Sequence, residues 1–443
     1  MTSPVLLAHP FLDPNLAENR PSILRYLYQR SLAIERSPES YNEFLNSLLH
    51  PHGDGRLLEA NLATSAYYMH EAMYYTREVL EMLPERVQRS VALRPEVVRC
   101  SDMRELLSII FGSRDRRLAF EAQRKLCLTK LFFDIDHSWE VQRGTEHKDF
   151  LEKVIQEELF SHVVSRRKVD ITYGMREDGQ SMEYVEGTGD GEECWSFDLQ
   201  QMEMLREGRP IRIHSYYYSC RFKREVIPYL YRSGERRYEF ALSEMFPGMS
   251  RRRSASIASK MIRKGENDPR AIQDLIGLMF IVENQSELED LKESLFDVFG
   301  GFFRFKNVVD TVAKPEDQLL LNPQSGAGYK VYKAELDVLY NSPRNRHPMP
   351  YTFNAEIQLY TLENYLRTLH TSHYASHQAL KRRQFLSGIV PYLFPESIYG
   401  PETIEELVGE EDLTALDTGF SANPSHLPVT SPDSSSGSQV NVP

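Results

Sequence analysis

The stretch Phe353-Asn-Ala-Glu-Ile-Gln-Leu-Tyr-Thr361 alternates with a period of two. In a strand, alternate side chains share a face. Phe353, Ala355, Ile357 and Leu359 therefore form an apolar face, and Asn354, Glu356, Gln358 and Tyr360 the opposite one. Such a strand needs neighbours for its backbone groups and a cover for its apolar face, which commits the chain to a sheet with something packed on it. The segments around it supply both. Leu275-Ile-Gly-Leu-Met-Phe-Ile-Val282 is an apolar run of strand length, and Tyr329–Tyr340 reads as another strand. Ser256–Lys264 has helical spacing, and Leu362–Phe385 reads as a long helix. Ser286-Glu-Leu-Glu289 has the form of a capping box opening a helix through Leu288, Leu291, Leu295 and Val298.

Residues 1–165 have a different texture and read as a mostly helical N-terminal region. Ile23, Leu24, Leu27 and Tyr28 recur at helical spacing, as do the apolar residues of Met103–Phe111 and of Asp149–Val164. Residues 166–248 form a β-rich connecting region with Gly/Asp turns at Asp178-Gly and Gly187-Thr-Gly-Asp-Gly, and with strands expected around Ile211–Tyr218 and Glu225–Tyr231. Residues 249–400 alternate helix and strand. Residues 401–443 are an acidic segment and a tail, and 418–443, rich in Ser, Pro, Thr and Gly, are expected to be disordered. The fold class expected is α+β: a mixed sheet flanked by helices, preceded by helices.

The 443 residues carry a net charge of −12. That excludes a protein that is basic overall, but it leaves room for a local basic patch. No uncharged apolar run approaches the roughly 18–20 residues that span a bilayer, and Met1–Ala8 lacks the basic start of a secretory signal. No membrane partner is expected. Cys100, Cys127, Cys194 and Cys220 form no Cys-x-x-Cys pair and read as reduced thiols of a cytoplasmic protein.

Four features carry chemistry. Glu356 with Gln358 places a metal ligand beside a hydrogen-bonding neighbour on a rigid strand, pointed away from the apolar face into an open cleft. Asp274 stands at the mouth of an apolar strand, followed by Gly277, where backbone can approach a cation. Ser250–Lys264 concentrates Arg251, Arg252, Arg253, Lys260, Arg263 and Lys264 with no acid, and a helix from Ser256 would put Lys260, Arg263 and Lys264 on one face to meet a polyanion. Asn322-Pro-Gln-Ser-Gly-Ala-Gly-Tyr-Lys-Val-Tyr332 is a Gly-rich loop delivering Tyr329 and Lys330 to a strand start, which suits base stacking and phosphate contact. Each feature alone also fits a solvated face or an ordinary turn. The clusters His50-Pro-His52-Gly-Asp54 and Asp134-Ile-Asp-His137 are short-range and read as structural, while His370, His373 and His377, at i, i+3 and i+7 of a helix, have a spacing that could ligate a metal, though another role is expected of that helix. Tyr216-Tyr-Tyr218 reads as strand packing or a partner surface.

In order, these segments resemble the RelA/SpoT alarmone synthetase domain, a branch of the polymerase-β-like nucleotidyltransferases. That family carries Arg-x-Lys-x-x-x-Ser-Ile-x-x-Lys, Asp-x-x-Gly-x-Arg, Asn-Gly-Tyr and Glu-Ile-Gln-x-Arg-Thr. The counterparts here are Arg252-Ser-Ala-Ser-Ile-Ala-Ser-Lys260, Asp274-Leu-Ile-Gly-Leu-Met279, Ala327-Gly-Tyr329 and Glu356-Ile-Gln-Leu-Tyr-Thr361, followed by His377-Gln-Ala-Leu-Lys381. The likeness spans residues 249–385 and implies a nucleotidyltransferase-like domain that is a GTP pyrophosphokinase, moving pyrophosphate from ATP to the 3′-hydroxyl of GTP or GDP. It implies Mg2+ held by Asp274 and Glu356, with Glu356 helping to deprotonate the acceptor. It further implies triphosphate contacts from Arg252, Arg253, Lys260, Arg263 and Lys264, and nucleotide contacts from Tyr329, Lys330 and Gln358.

The departures are specific. Met279 and Tyr360 stand where the family has arginines, Ala327 replaces its Asn, Val331 and Lys333 replace a Ser and a His, and Ser250, or Arg251 with a one-residue slip, stands for the first Arg. Neither Met nor Tyr reproduces a planar guanidinium contact. Two further readings follow: a relative acting on an adenine nucleotide or a tRNA 3′ end, and a non-catalytic nucleotide-sensing or interaction protein. A homo-oligomer or a protein partner on the N-terminal region belongs with either.

Overall fold

The computed structural model describes residues 20–35, 37–50, 53, 55–176, 182–187, 193–223, 254–266, 268–314, 317, 329–341, 349–369, 384–386 and 388–400. The chain divides into two units, 1–226 with 251–408 and 227–250 with 409–443. The second unit lies wholly outside the described residues. So do His52, Asp54, Arg251, Arg252, Arg253, the strand expected at 225–231, the Gly-rich loop before Tyr329, the histidines at 370, 373 and 377, Lys381 and the tail.

Among the described residues eight helices come first: α1 (Arg20–Ile34), α2 (Pro38–Leu49), α3 (Leu58–Glu81), α4 (Glu85–Ser90), α5 (Pro95–Arg99), α6 (Met103–Gly112), α7 (Arg116–His137) and α8 (Trp139–Glu158). Their starts are set locally. Asp115 caps α7 by accepting from the backbone N–H groups of Arg117 and Leu118, and Ser138 caps α8. Helix α7 runs through the middle of this layer and is buried over most of its length, including the three cations Arg124, Lys125 and Lys130. Lys125 Nζ donates to the carbonyls of Val97 and Cys100 at the end of α5, and burial lowers its pKa to about 8. Arg124 donates to the Leu393 carbonyl at 2.5 Å and so ties the layer to the segment near residue 400. The helix expected to run on to Val164 ends at Glu158, and Val163 already opens a strand.

The sheet has eight strands in the order β2-β1-β3-β4-β5-β8-β7-β6. These are β1 (Val163–Met175), β2 (Met182–Glu186), β3 (Glu193–Arg206), β4 (Arg209–Phe222), β5 (Ile276–Val282), β6 (Phe305–Asp310), β7 (Tyr332–Tyr340) and β8 (Tyr351–Thr361). Helix α9 (Ala255–Lys264) precedes β5, α10 (Gln285–Phe299) follows it, and α11 (Leu362–Leu369) follows β8. All neighbouring strands are antiparallel except β5 and β8, which run parallel in the centre with Gly277 opposite Glu356. The α+β architecture expected of the chain is the one observed, and the sheet runs unbroken from β4 into β5. The start of α10 differs from expectation: its N-cap is Asn284, whose side chain accepts from the Glu287 N–H, so Ser286 lies inside the helix.

One face of the sheet packs against α8 and α10 and continues into the helical layer through Leu278, Phe280, Ala355 and Ile357. Among the described residues, the other face is covered at one end only, where α11 lays Leu362 and Leu366 on Ile281 and Tyr360. The rest of that face, with Gly277, Glu356, Gln358 and Lys333, is the floor of the candidate site. Among the described residues no helix is long and apolar enough to cross a membrane.

The contact of α8 with β4 is close. A Cβ added at Gly144 would enter the space of the Phe222 ring. Phe222 is buried and is the last residue of β4, so it cannot step aside cheaply. Gly144→Ala is expected to destabilise the fold by about 1–3 kcal/mol, the usual cost of overpacking, despite the better helix propensity of Ala. Urea unfolding measures it, and an unchanged midpoint would show that helix and sheet separate freely.

Candidate functional site

The floor begins with the alternation of β8. Phe353, Ala355, Ile357 and Leu359 are buried in the core, which turns Glu356 and Gln358 to the other face. The register then places neighbours: Gly277 and Met279 of β5 on one side, Lys333 and Glu335 of β7 on the other. A side chain on Gly277 would meet nothing within 4 Å, so the space next to Glu356 is open. Asp274 lies just before β5. Antiparallel pairing brings the end of β4 alongside it, with the Lys223 N–H donating to the Leu275 carbonyl at 2.9 Å.

These placements bring carboxylates and amines together. Asp274 Oδ2 accepts from both Lys223 and Lys260. Its Oδ1 is buried and has no hydrogen-bond partner among the described residues. Glu356 Oε2 pairs with Lys333 Nζ at 2.5 Å, and Oε1 accepts from Gln358 Nε2 at 2.6 Å. The expectation that Glu356 stands in open solvent does not hold, since only 13% of its side chain is exposed. Burial pushes its carboxyl up, but Lys333, Lys260 and Lys223 outweigh that and hold it below the ordinary glutamate value. Burial first of all lowers Lys223 to about 8 and Lys260 to about 6; Glu356 opposes both shifts, Lys333 repels both lysines, and Lys223 repels Lys260. The lysines that grip Asp274 are thus the ones whose field reaches Glu356, and the two carboxylates belong to one electrostatic cluster.

The basic helix α9 buries Ile257, Ala258, Met261 and Ile262 and ends after Lys264, where Gly265 takes a left-handed φ of 76°. Lys260 faces the carboxylates. Arg263 shares their field, and the stem of its side chain packs beside Gly388. Lys264 is exposed and acts on Lys260 electrostatically. The helical layer holds this helix in place. Tyr75 of α3 bonds Ser259 at 2.8 Å, and Ser254 donates to Asp136 of α7, which also accepts from Tyr68. The acid–histidine run at 134–137 is used in the same way: Asp134 pairs with Lys130 and the His137 ring stacks on Phe133.

Tyr329 is half-buried at the rim. Its hydroxyl is 2.5 Å from that of Tyr360, and the rings meet edge to face. Tyr360 in turn donates to Gln358 Oε1 at 3.1 Å. A chain of hydrogen bonds therefore runs Tyr329–Tyr360–Gln358–Glu356–Lys333, and both ends of the Gln358 amide are spent inside it. Lys330 is exposed beside Tyr329. Sequence reasoning singled out neither Lys223 nor, as an ion-pair partner, Lys333. Lys223 is separated from Asp274 by 51 positions, and only the pairing of β4 with β5 connects them.

Chemically, the cluster has an acidic pair with one unsatisfied buried oxygen, ringed by cations on flexible stems. Those groups suit a magnesium-bound polyphosphate: the carboxylates for the hard cation, the lysines for the phosphate oxygens.

No family model matches the sequence, and no curated protein matches it. Solved structures do. The small alarmone synthetase 1 from Bacillus subtilis, bound to its product pppGpp, is 21% identical over 40% of this chain and 90% of its own, with a TM-score of 0.21. The small alarmone synthetase 2 from Bacillus subtilis is 18% identical over 40% of this chain and 86% of its own, with a TM-score of 0.21. A GTP pyrophosphokinase family protein from Streptococcus pneumoniae is 17% identical over 34% of this chain and 72% of its own, with a TM-score of 0.20.

Proposed function

We propose that the chain is an ATP-dependent pyrophosphokinase, transferring pyrophosphate from ATP to the 3′-hydroxyl of a guanine nucleotide. The observation that carries this reading is the joining of Asp274, just before β5, and Glu356, on the parallel neighbour β8, by a common set of lysines. Asp274 and Glu356 would hold Mg2+, and the orphaned Asp274 Oδ1 fits that use. Bound there, the ion would neutralise charge on the transferring phosphates.

The chain's own groups do the rest. Lys223 and Lys260 release Asp274 and take up phosphate oxygens when the triphosphate arrives. Lys333 and Gln358 keep Glu356 oriented. Glu356 accepts the proton of the 3′-hydroxyl as its oxygen bonds to the β-phosphorus of ATP and the bond to the α-phosphate breaks, releasing AMP. Tyr329 meets the acceptor base at the rim. Electrostatics and positioning supply most of the catalysis.

A second reading keeps the chemistry and changes the acceptor to an adenine nucleotide or a tRNA 3′ end. The Tyr329–Tyr360 contact favours it, because Tyr360 occupies the place of an arginine and ties up the hydroxyl of Tyr329.

ATP binding tests the lysines. Lys223→Ala and Lys260→Ala should each weaken ATP about tenfold or more, the scale of one charge-assisted phosphate contact. Binding should also take up protons. In the empty site Lys260 titrates at about 6 and Lys223 at about 8, and phosphate raises both by favouring the ammonium form. Affinity is therefore highest at low pH and falls as pH rises through these values. Calorimetry in buffers of different ionisation enthalpy reads the uptake. ATP binding that is indifferent to pH and to both substitutions would remove the triphosphate from this cluster.

A further inference from the structure

His214, Glu283 and Glu287 meet where β4, the end of β5 and the first turn of α10 converge. The pairing of β4 with β5 ends at Ser215 opposite Val282, which leaves His214 and Glu283 as neighbours. The cap at Asn284 starts α10 at once and sets Glu287 three residues on, facing the same point. His214 Nδ1 is 2.8 Å from Glu287 Oε1 and 3.2 Å from Glu283 Oε2, and one ligand atom from each of the three residues lies within 4.8 Å of the others.

The second oxygen of Glu287 accepts from the His214 backbone N–H at 2.8 Å. The carboxylate is anchored by one oxygen and presents the other, an arrangement that orients metal ligands elsewhere. Two carboxylates converge on one ring nitrogen, which carries at most one proton and cannot satisfy both fully. Among the described residues the recorded ion pairs of Glu283 and Glu287 are those with His214. The neighbourhood is acidic: burial first, then Glu283, Tyr184, Glu186 and Glu287, raise the Tyr216 hydroxyl to about 12. Glu186 is already paired with Arg167. A divalent ion in place of the shared proton would relieve the repulsion and use all three ligand atoms.

We propose that His214, Glu283 and Glu287 form a metal site, for a borderline divalent transition ion with Zn2+ first, that clamps β4 and β5 to α10. One imidazole nitrogen with two carboxylate oxygens suits such an ion better than Mg2+ or Ca2+, which favour all-oxygen shells. Ligand atoms about 2.0–2.2 Å from zinc sit roughly 3.4 Å apart in a tetrahedral shell, close to the spacing already present. Glu283 is 45% exposed on its side chain, so the site opens to solvent for entry and for a water as fourth ligand. The proposal is independent of the nucleotide reading, because it shares no residue with the lysine–carboxylate cluster.

The test uses the full chain stripped with chelator and titrated with Zn2+ in excess Mg2+, with Co2+ as a spectroscopic substitute. One Zn2+ per chain should bind and raise the melting temperature. Co2+ should give visible absorption of a tetrahedral or five-coordinate site. Glu283→Gln, at an exposed position outside the core, should weaken Zn2+ at least about tenfold and change the Co2+ spectrum, while the metal-free protein melts as wild type does. His214→Asn should do the same more strongly, and Glu85→Gln, an exposed acid on α4, should leave both readouts unchanged. Equal Zn2+ binding by wild type and Glu283→Gln would overturn the site, as would loss of binding in Glu85→Gln or no binding by the wild type.

Discussion

Glu356→Gln should lower pyrophosphoryl transfer by at least ~10²-fold, the scale for losing a general base or a major electrostatic contact. The substitution keeps the size of the side chain and removes its charge. Glu356 stands on a strand whose alternate residues are fixed in the core, so the variant cannot recover function by shifting register. Lys333 loses its charged partner at 2.5 Å, and the single amide oxygen that remains cannot serve both Lys333 and Gln358, held at 2.6 Å, as two carboxylate oxygens do, which disturbs the hydrogen-bond chain reaching back to Tyr329. A modest fall in stability accompanies the loss, because the carboxylate is mostly buried and paired. Single-turnover transfer with saturating ATP separates the two effects, since the folded fraction is measured alongside. Transfer at the wild-type rate would take the proton-accepting role away from this residue.

Asp274→Asn should have the largest effect on folding. Its carboxylate is the shared partner of Lys223 and Lys260, whose side chains are 31% and 18% exposed. Below about pH 6, where both lysines carry their charge, removing one member of a buried ion cluster leaves uncompensated charge and costs about 3 kcal/mol. The cause can be checked, because removing one of the surplus cations should restore part of the loss. Asp274→Asn combined with Lys260→Met should therefore be more stable than Asp274→Asn alone. ATP should stabilise the single variant as well, by giving both lysines a new anion. Additive destabilisation in the double variant would show that Asp274 and Lys260 do not depend on each other.

How far the residues alone foretold this arrangement differs from element to element. The period-two pattern of β8 was readable because both faces of that strand are strongly typed, and the structure buries the predicted face. The apolar run of β5 was readable for the same reason, as was the basic face of α9. Strand pairing was not. Nothing local says that β5 lies between β4 and β8, or that Lys223 ends beside Asp274, because such contacts depend on loop closure over long separations. The solvation of Glu356 was misjudged because a single strand does not reveal a lysine on its neighbour. The start of α10 was misplaced by two residues because Ser286 with Glu289 and Asn284 with Glu287 both carry a capping signal, and the bond of Glu287 to the His214 backbone accompanies the earlier start. That same choice of cap produced the His214, Glu283 and Glu287 cluster, which no spacing rule could have found across 73 positions.

The role of the helical layer was likewise invisible in its own sequence. Its periodicity announces helices but not their purpose. The contacts of Tyr75 with Ser259 and of Asp136 with Ser254 show that it braces α9, the helix that carries Lys260. Helix α9 has its own apolar stripe, but it is ten residues long, too short to be stable alone.

The most direct measurement of the central claim is product analysis. The purified full chain is incubated with Mg2+ and ATP labelled in the β-phosphate, with GTP, GDP, an adenine nucleotide or tRNA as acceptor, and wild type is compared with Glu356→Gln. The account predicts a labelled 3′-pyrophosphorylated product with one acceptor, equimolar AMP, and loss of both in the variant. ATP binding by the wild type without transfer to any of these acceptors would contradict it. The cluster of Asp274, Glu356 and their lysines would then be a nucleotide-sensing site, and Met279 and Tyr360, in the places of two arginines, would be the first positions to restore.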